Sequence, residues 1–209
     1  MTSKYQPARD AFAALSTSLR DDGILRDDVE ASFTLLLTRY NTQIYENRFL
    51  VGGVAERIIA ATLVAMGKAA KNHGVRVSRT DICVGDVSLS IKCSFRPRPG
   101  NIRLVNVMGD SSGAEWSEPT IFVISKVGIG YADPDLLPNA TTRAKDAITL
   151  PTRPLFDLWA NDPSLLFDMD LPYSREDQDG SDVASRVVAD EIFRYAKKLK
   201  PFDKRTPEE

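Results

Sequence analysis

TDICVGDVSLSIKCSF, residues Thr80–Phe95, decides how the rest of the chain is read. Apolar and small polar residues alternate through it, the period-2 pattern of a strand with one buried face and one polar face. Gly85-Asp86 interrupt the alternation, and a Gly-X pair between two such runs is a two-residue hairpin turn. That turn puts Val84 opposite Val87, Cys83 opposite Ser88, Ile82 opposite Leu89 and Asp81 opposite Ser90. Ile82, Val84, Val87, Leu89, Ile91, Cys93 and Phe95 then share one face. Asp81, Cys83, Ser88, Ser90, Lys92 and Ser94 share the other, with Asp81, Ser90 and Lys92 as neighbours at the open end of the hairpin.

Upstream, residues 7–20 (Phe12, Leu15, Leu19) and 27–45 (Val29, Phe33, Leu36, Leu37, Tyr40, Ile44) carry apolar positions at helical spacing. Two amphipathic helices are expected there, joined by an Asp-Asp-Gly break. A third helix, Leu50 to Ala70, is apolar nearly all round and is expected to be buried, with Gly52-Gly53 read as a close-packing contact. His73, beside Gly74, reads as a helix-end cap. Strand texture starts at Val75 and ends at Arg96-Pro97-Arg98-Pro99-Gly100, because proline cannot continue a ladder.

Ile102–Met108 and Pro119–Ser125 read as two more strands, the second a short apolar run (Ile121–Ile124). Residues 126–152 look irregular; a helix near Pro154–Ala160, an extended piece at Leu165–Leu171, an acidic loop at Ser174–Ser181 and a closing helix at Val183–Lys200 follow. The acidic spacing of Asp177–Asp182 fails the helix-loop-helix calcium pattern and reads as a solvated loop. The expected fold class is α/β (α+β): a central mixed β-sheet flanked by helices. One domain is expected over residues 1–209, with N-terminal helices (1–48), a catalytic core (50–125), a possible recognition region (126–172) and a C-terminal helix (183–200).

Composition narrows the function classes. With 43% hydrophobic and 27% charged residues the chain reads as a globular domain, without signal peptide or membrane span, and a cytoplasmic location is expected. Two cysteines, Cys83 and Cys93, are too few for a disulfide framework or zinc site and read as core or near-core thiols, and a single histidine excludes an imidazole-rich metal site. A net charge of −2 argues against nonspecific coating of nucleic acid, which requires many cations to neutralise phosphates. Any DNA contact would use a local basic surface.

The polar hairpin face has two readings. An Asp-Lys pair on a strand is often a solvated contact that steadies the ladder modestly. Phosphodiester hydrolysis asks for the same groups: a carboxylate to bind Mg²⁺, which prefers oxygen ligands, and an ammonium to offset charge or handle the attacking water's proton. Glu56 bears on the choice, because it stands in an otherwise apolar helix where an unpaired carboxylate is costly. It pairs with Arg57 or another arginine, points out through a gap, or supplies a second carboxylate to the metal.

A helix Glu, then a hairpin whose first strand carries Asp and whose second carries x-x-Lys, resembles the PD-(D/E)xK nuclease superfamily, which includes many type II restriction endonucleases. The matched residues are Glu56, Asp81 and the tripeptide Ser90-Ile91-Lys92, and the resemblance covers roughly residues 50–125. It departs at Ser90, where the pattern has an acid, and at Thr80, where it has a proline. Glu56 is the candidate replacement for the missing acid, ahead of Asp110 or Glu115.

The resemblance implies a Mg²⁺-dependent, sequence-specific double-strand DNA endonuclease. Asp81 and Glu56 would bind the metal, Lys92 would assist the attacking water and Ser90 would hold a water beside the metal. It also implies a homodimer, suited to a palindromic site and with the 7–45 helices as its interface, and a cognate DNA methyltransferase. The alternatives are an inactive DNA-binding protein on the same fold, a structure-specific or repair nuclease, and a nuclease acting on RNA. Arg96, Arg98, Asn101 and Arg103 leave the hairpin directly and are read either as DNA contacts, to phosphates or guanine edges, or as a solvated loop; Lys126 is a further DNA-contact candidate. Arg143, Lys145 and Arg153 fall in the stretch that could carry recognition, whereas Arg194–Lys200 reads as a solvated helix end.

Overall fold

The computed structural model describes residues 3–42, 45–72, 80–97, 100–107 and 114–174. The expectations at His73, 75–79, Arg98, Asp110, the acidic stretch 177–182 and the closing helix 183–200 lie outside these residues.

A single residue separates the first two helices. Asp22 ends α1 (Gln6–Asp21) and begins α2 (Gly23–Arg39), its carboxylate accepting from Leu25 N–H at 3.0 Å. α1 turns Phe12, Leu15 and Leu19 inward, and α2 Val29, Phe33, Leu36 and Leu37.

The helix expected to run to residue 45 stops at Arg39, and Tyr40 is extended. Polar groups explain the stop. The buried Asn41 and Thr42 spend their carbonyls on Asn47 Nδ2 (3.0 Å) and Arg48 Nε (2.9 Å), and the Thr42 hydroxyl meets Ser174 Oγ at 2.5 Å. α3 (Tyr45–Ala65) therefore lies five residues upstream of its expected place. Gly67, at φ +74°, closes it in a left-handed cap in which Lys68 N–H reaches Leu63 O at 3.0 Å and Gly67 N–H reaches Val64 O at 2.9 Å. Gly52 and Gly53 are not close-packing positions as expected, since a methyl at either would meet nothing within 4 Å.

The end of the expected third helix is instead β1 (Ala70–Asn72), paired antiparallel with β2 (Ile82–Val84). β2 turns through Gly85, at φ +59°, into β3 (Val87–Ser94), in the expected register: Ile82 opposite Leu89, Cys83 opposite Ser88, Val84 opposite Val87. β5 (Thr120–Ile124) lies parallel to β3, and β6 (Gly128–Ala132) and β9 (Leu166–Asp168) continue antiparallel. The result is a six-stranded mixed sheet in the order β1-β2-β3-β5-β6-β9.

A second sheet interrupts this one. β4 (Ile102–Asn106) follows β3 but pairs with β8 (Ala147–Leu150), which pairs in turn with β7 (Thr142–Arg143). Residues 126–152 are thus not irregular as expected. Their glycines imitate a loop, yet they sit where no side chain fits. A Cβ on Gly130 would lie 2.2 Å from the Trp159 ring of α4 (Thr152–Asn161), and one on Gly128, at φ +119°, would lie 2.2 Å from Phe167 O.

The register assigns the two faces of the large sheet. Ile91, Ile121 and Tyr131 share one, where Phe12 of α1 packs 5.6 Å from the Tyr131 ring and Phe33 of α2 lies 6.3 Å from Phe95. Lys92, Phe122 and Gly130 share the other, where α4 brings Trp159 to 6.1 Å from Phe122. Helices therefore flank the sheet on both faces, and the polar hairpin residues share the α4 face, further toward the β1 edge.

Candidate active site

Asp81 stands one residue before β2, where the ladder with β3 has just closed at Ile82 and Leu89. β3 continues past that point, so the Ile91 N–H faces no further β2 carbonyl. Asp81 supplies the missing acceptor: its Oδ2 takes the Ile91 N–H at 2.6 Å. The same oxygen accepts from Ser90 Oγ at 2.9 Å and lies 3.4 Å from Lys92 Nζ. The Asp81 and Lys92 side chains each remain about a quarter exposed, whereas Ser90 is buried. On its far side Ser90 donates its N–H to Pro119 O at 2.9 Å, which locks the serine between β2 and β5.

Glu56 reaches this cluster from α3. Asn72 of β1 donates its Nδ2–H to Glu56 Oε2 at 3.3 Å. Burial pushes the Glu56 carboxyl above the ordinary carboxylate range, and the negative charge of Asp81 pushes it further; Asn72, Lys92 and Arg57 work the other way. Among the described residues Glu56 makes no ion pair with Arg57 or any other arginine. Asp81, Ser90 and Lys92 are thus in direct contact, and Glu56, with Asn72 as a partner that sequence reasoning missed, stands within electrostatic reach of Asp81 and Lys92. In sequence the neighbourhood of Asn72 reads as a helix end, and a single Asn carries no signal of its own.

The other candidates lie apart from this cluster. Arg96 and Asn101 are exposed on the segment leaving β3. Arg103, on β4, donates to Asp146 Oδ2 at 2.6 Å and to Asn106 Oδ1 at 3.1 Å. Lys126, in the β5–β6 turn at φ 62°, pairs with Asp170 at 3.0 Å. Glu115 is exposed, and among the described residues no group of three or more His, Cys, Asp or Glu is placed to hold an ion. Cys93 belongs to the apolar face, and burial pushes its thiol up to about 12. Cys83, at the hairpin tip, donates its S–H to Gly85 O at 2.7 Å.

A second charged cluster also escaped the sequence. Asp133, fully buried after β6, accepts from Arg9 Nε (2.8 Å) and Nη2 (3.0 Å), Tyr131 Oη (3.0 Å) and the N–H groups of Asp135 and Leu136. Every acceptor position is engaged within the fold, so it ties α1 to β6 and has no capacity left for chemistry.

No protein-family model matches the chain, and no curated protein matches it significantly. A solved structure described as a restriction endonuclease in complex with substrate DNA matches at a TM-score of 0.54 and 18% identity, over 82% of this chain and 98% of that one. The fold is restriction endonuclease-like.

Proposed function

We propose that this chain is a Mg²⁺-dependent endonuclease that cuts both strands of DNA at a specific sequence, in the manner of a type II restriction enzyme. The observation that carries the reading is the meeting of Glu56, Asp81 and Lys92 around Ser90 on a restriction endonuclease-like fold.

The donor set fits Mg²⁺. A carboxylate whose charge is disfavoured by a neighbouring one, as Asp81 disfavours that of Glu56, is what a divalent cation relieves, and Mg²⁺ commonly takes one or two carboxylates with the rest of its shell from water and phosphate. Glu56 and Asp81 would hold it, and when bound it supplies Lewis-acid polarisation of the scissile phosphate. Asn72 steers Glu56, and the Ile91 amide and Ser90 hydroxyl fix the rotamer of Asp81, so neither carboxylate has to be ordered when substrate arrives. Lys92 sets an ammonium at the edge of the pair, where it offsets charge gathering on the phosphate oxygens and holds a proton at Nζ. Among the described residues no helix is long and apolar enough to cross a membrane. The same reading implies a homodimer and, in the host, a methyltransferase protecting the recognised sequence.

A second reading has a specific observation in its favour. Asp81 Oδ2 is already engaged by the Ser90 hydroxyl, the Ile91 amide and Lys92, and Ser90 brings no second charge to the tripeptide. A protein that binds DNA without cutting it would tolerate both. Purified protein incubated with unmethylated plasmid and phage DNA, in Mg²⁺ or EDTA, separates the two. Discrete Mg²⁺-dependent fragments are expected, reduced on the order of a hundredfold or more in Lys92→Ala at unchanged circular dichroism. DNA that is retained but never cut, at equal affinity with and without metal, would establish the binding protein instead.

A further inference from the structure

The small sheet carries a polar row that cleavage chemistry does not use. Arg103 of β4 is in register with Thr149 of β8, and Thr149 with Thr142 of β7, so the three side chains stand in line across one face. The two threonine hydroxyls are joined at 2.9 Å. The other side of the sheet is core, with Ile102, Leu104 and Leu150 buried. The row therefore rests on a rigid, packed backing and faces outward.

Arg103 is exposed but not loose. Asp146 and Asn106 take one Nη2–H and one Nη1–H, which leaves three of the five guanidinium donors. An arginine already neutralised by a carboxylate has lost much of its attraction for phosphate, which depends on net charge. It keeps its planar fork of donors, and the bracing lowers the rotamer entropy that binding would otherwise remove. Those properties suit a neutral hydrogen-bonding target with two adjacent acceptors. Guanine offers O6 and N7 in the major groove, and that groove admits a β-ribbon. Lys145, exposed in the β7–β8 turn, would flank the groove with charge for the phosphates. The sheet is also tied to the cluster at both ends. β4 packs against β3, and the chain returns from β4 to Thr120, the register partner of Ser90.

We propose that Arg103, braced by Asp146, is a specificity-determining residue that reads a guanine in the major groove, with Thr149 and Thr142 alongside it. This rests on the reading of the chain as a DNA endonuclease. Asp146 is a positioning residue, acting only through the guanidinium.

The test selects the full-length protein, in Ca²⁺, against a pool of DNA duplexes with randomised centres, and sequences what is bound. Wild type is expected to enrich a motif that contains a fixed G·C pair. Arg103→Ala and Arg103→Lys should lose preference at that one pair by on the order of tenfold to a hundredfold while keeping the others. Asp146→Ala should relax the same pair, a change confined to one position that a merely structural role would not produce. An unchanged motif in Arg103→Ala overturns the inference. So does a uniform loss of affinity for all duplexes with a shallower salt dependence, which marks a phosphate contact. Wild type that binds without any motif, yet cuts plasmid in Mg²⁺, sinks base reading and leaves the nuclease standing; neither binding nor cutting sinks both.

Discussion

Asp81 serves the backbone and the proposed chemistry with one carboxylate, and substitution can separate the two. Its Oδ2 finishes a ladder that β2 is too short to finish, so Asp81→Ala leaves the Ile91 amide without its acceptor, at a cost of about 1–3 kcal/mol. Asp81→Asn keeps a carbonyl oxygen in the same place and should melt close to wild type. Both should lose Mg²⁺-dependent cleavage, so thermal melts read beside the nuclease assay distinguish the roles. Near-normal cutting by Asp81→Asn would remove the carboxylate from the chemistry.

The thiols make a second residue-scale prediction. Both thiols are half-buried, but loss of solvent around the Cys93 sulfur lifts its thiol to about 12, which keeps it protonated and slow at neutral pH. A disulfide reagent at pH 8 should label one thiol in the native protein and the second only in denaturant. The sign of the linkage follows: with the folded pKa above the unfolded one, Cys93 costs no stability below pH 9. It destabilises the fold progressively as pH rises from about 9 toward 12, because only the unfolded chain releases the proton.

At the scale of elements, Gly130 and Trp159 form a fitted pair. Gly130→Ala should cost about 1–3 kcal/mol through overpacking against the indole, read as a lowered midpoint in denaturant. Adding Trp159→Phe should recover part of that loss, and an additive double mutant would mean the two do not meet as described. This pair also marks where sequence reading ran out. Alternation from Thr80 to Phe95 was enough to set the hairpin, its register and the neighbours Asp81, Ser90 and Lys92, because period and turn chemistry are local. β6 was not legible, because GIGYA is a strand only where an aromatic ring from 29 residues downstream needs the space over Gly130. β1 was hidden by the apolar run before it, and α2 was overextended because hydrophobic spacing continues through Tyr40 while the hydrogen bonds of Asn41 and Thr42 end the helix. Glu56 was legible as a misplaced charge; Asn72, which steers it, was not.

For the molecule as a whole, cutting two strands asks for two sites. The outer face of α2 presents Ile24, Asp28, Ala31 and Leu35 at helical spacing, with Ile24 78% and Leu35 52% exposed, and the proposed homodimer would use it. Sedimentation should then give a dimer for wild type and a monomer for Ile24→Glu/Leu35→Glu. The monomer should nick plasmid rather than linearise it. A wild-type monomer that linearises plasmid in one encounter would reject that interface.

The two sheets also differ in how the chain enters them. β4 is spliced between β3 and β5, and β7–β8 between β6 and α4, so the small sheet is assembled wholly from excursions out of a larger frame. The frame's own strand pairings run without using any residue of those excursions. A protein engineer can therefore attempt to graft a new small sheet by exchanging both excursions together, within 96–116 and within 138–151, so that Ser117 and Pro119 still accept from Tyr5 and Ser90.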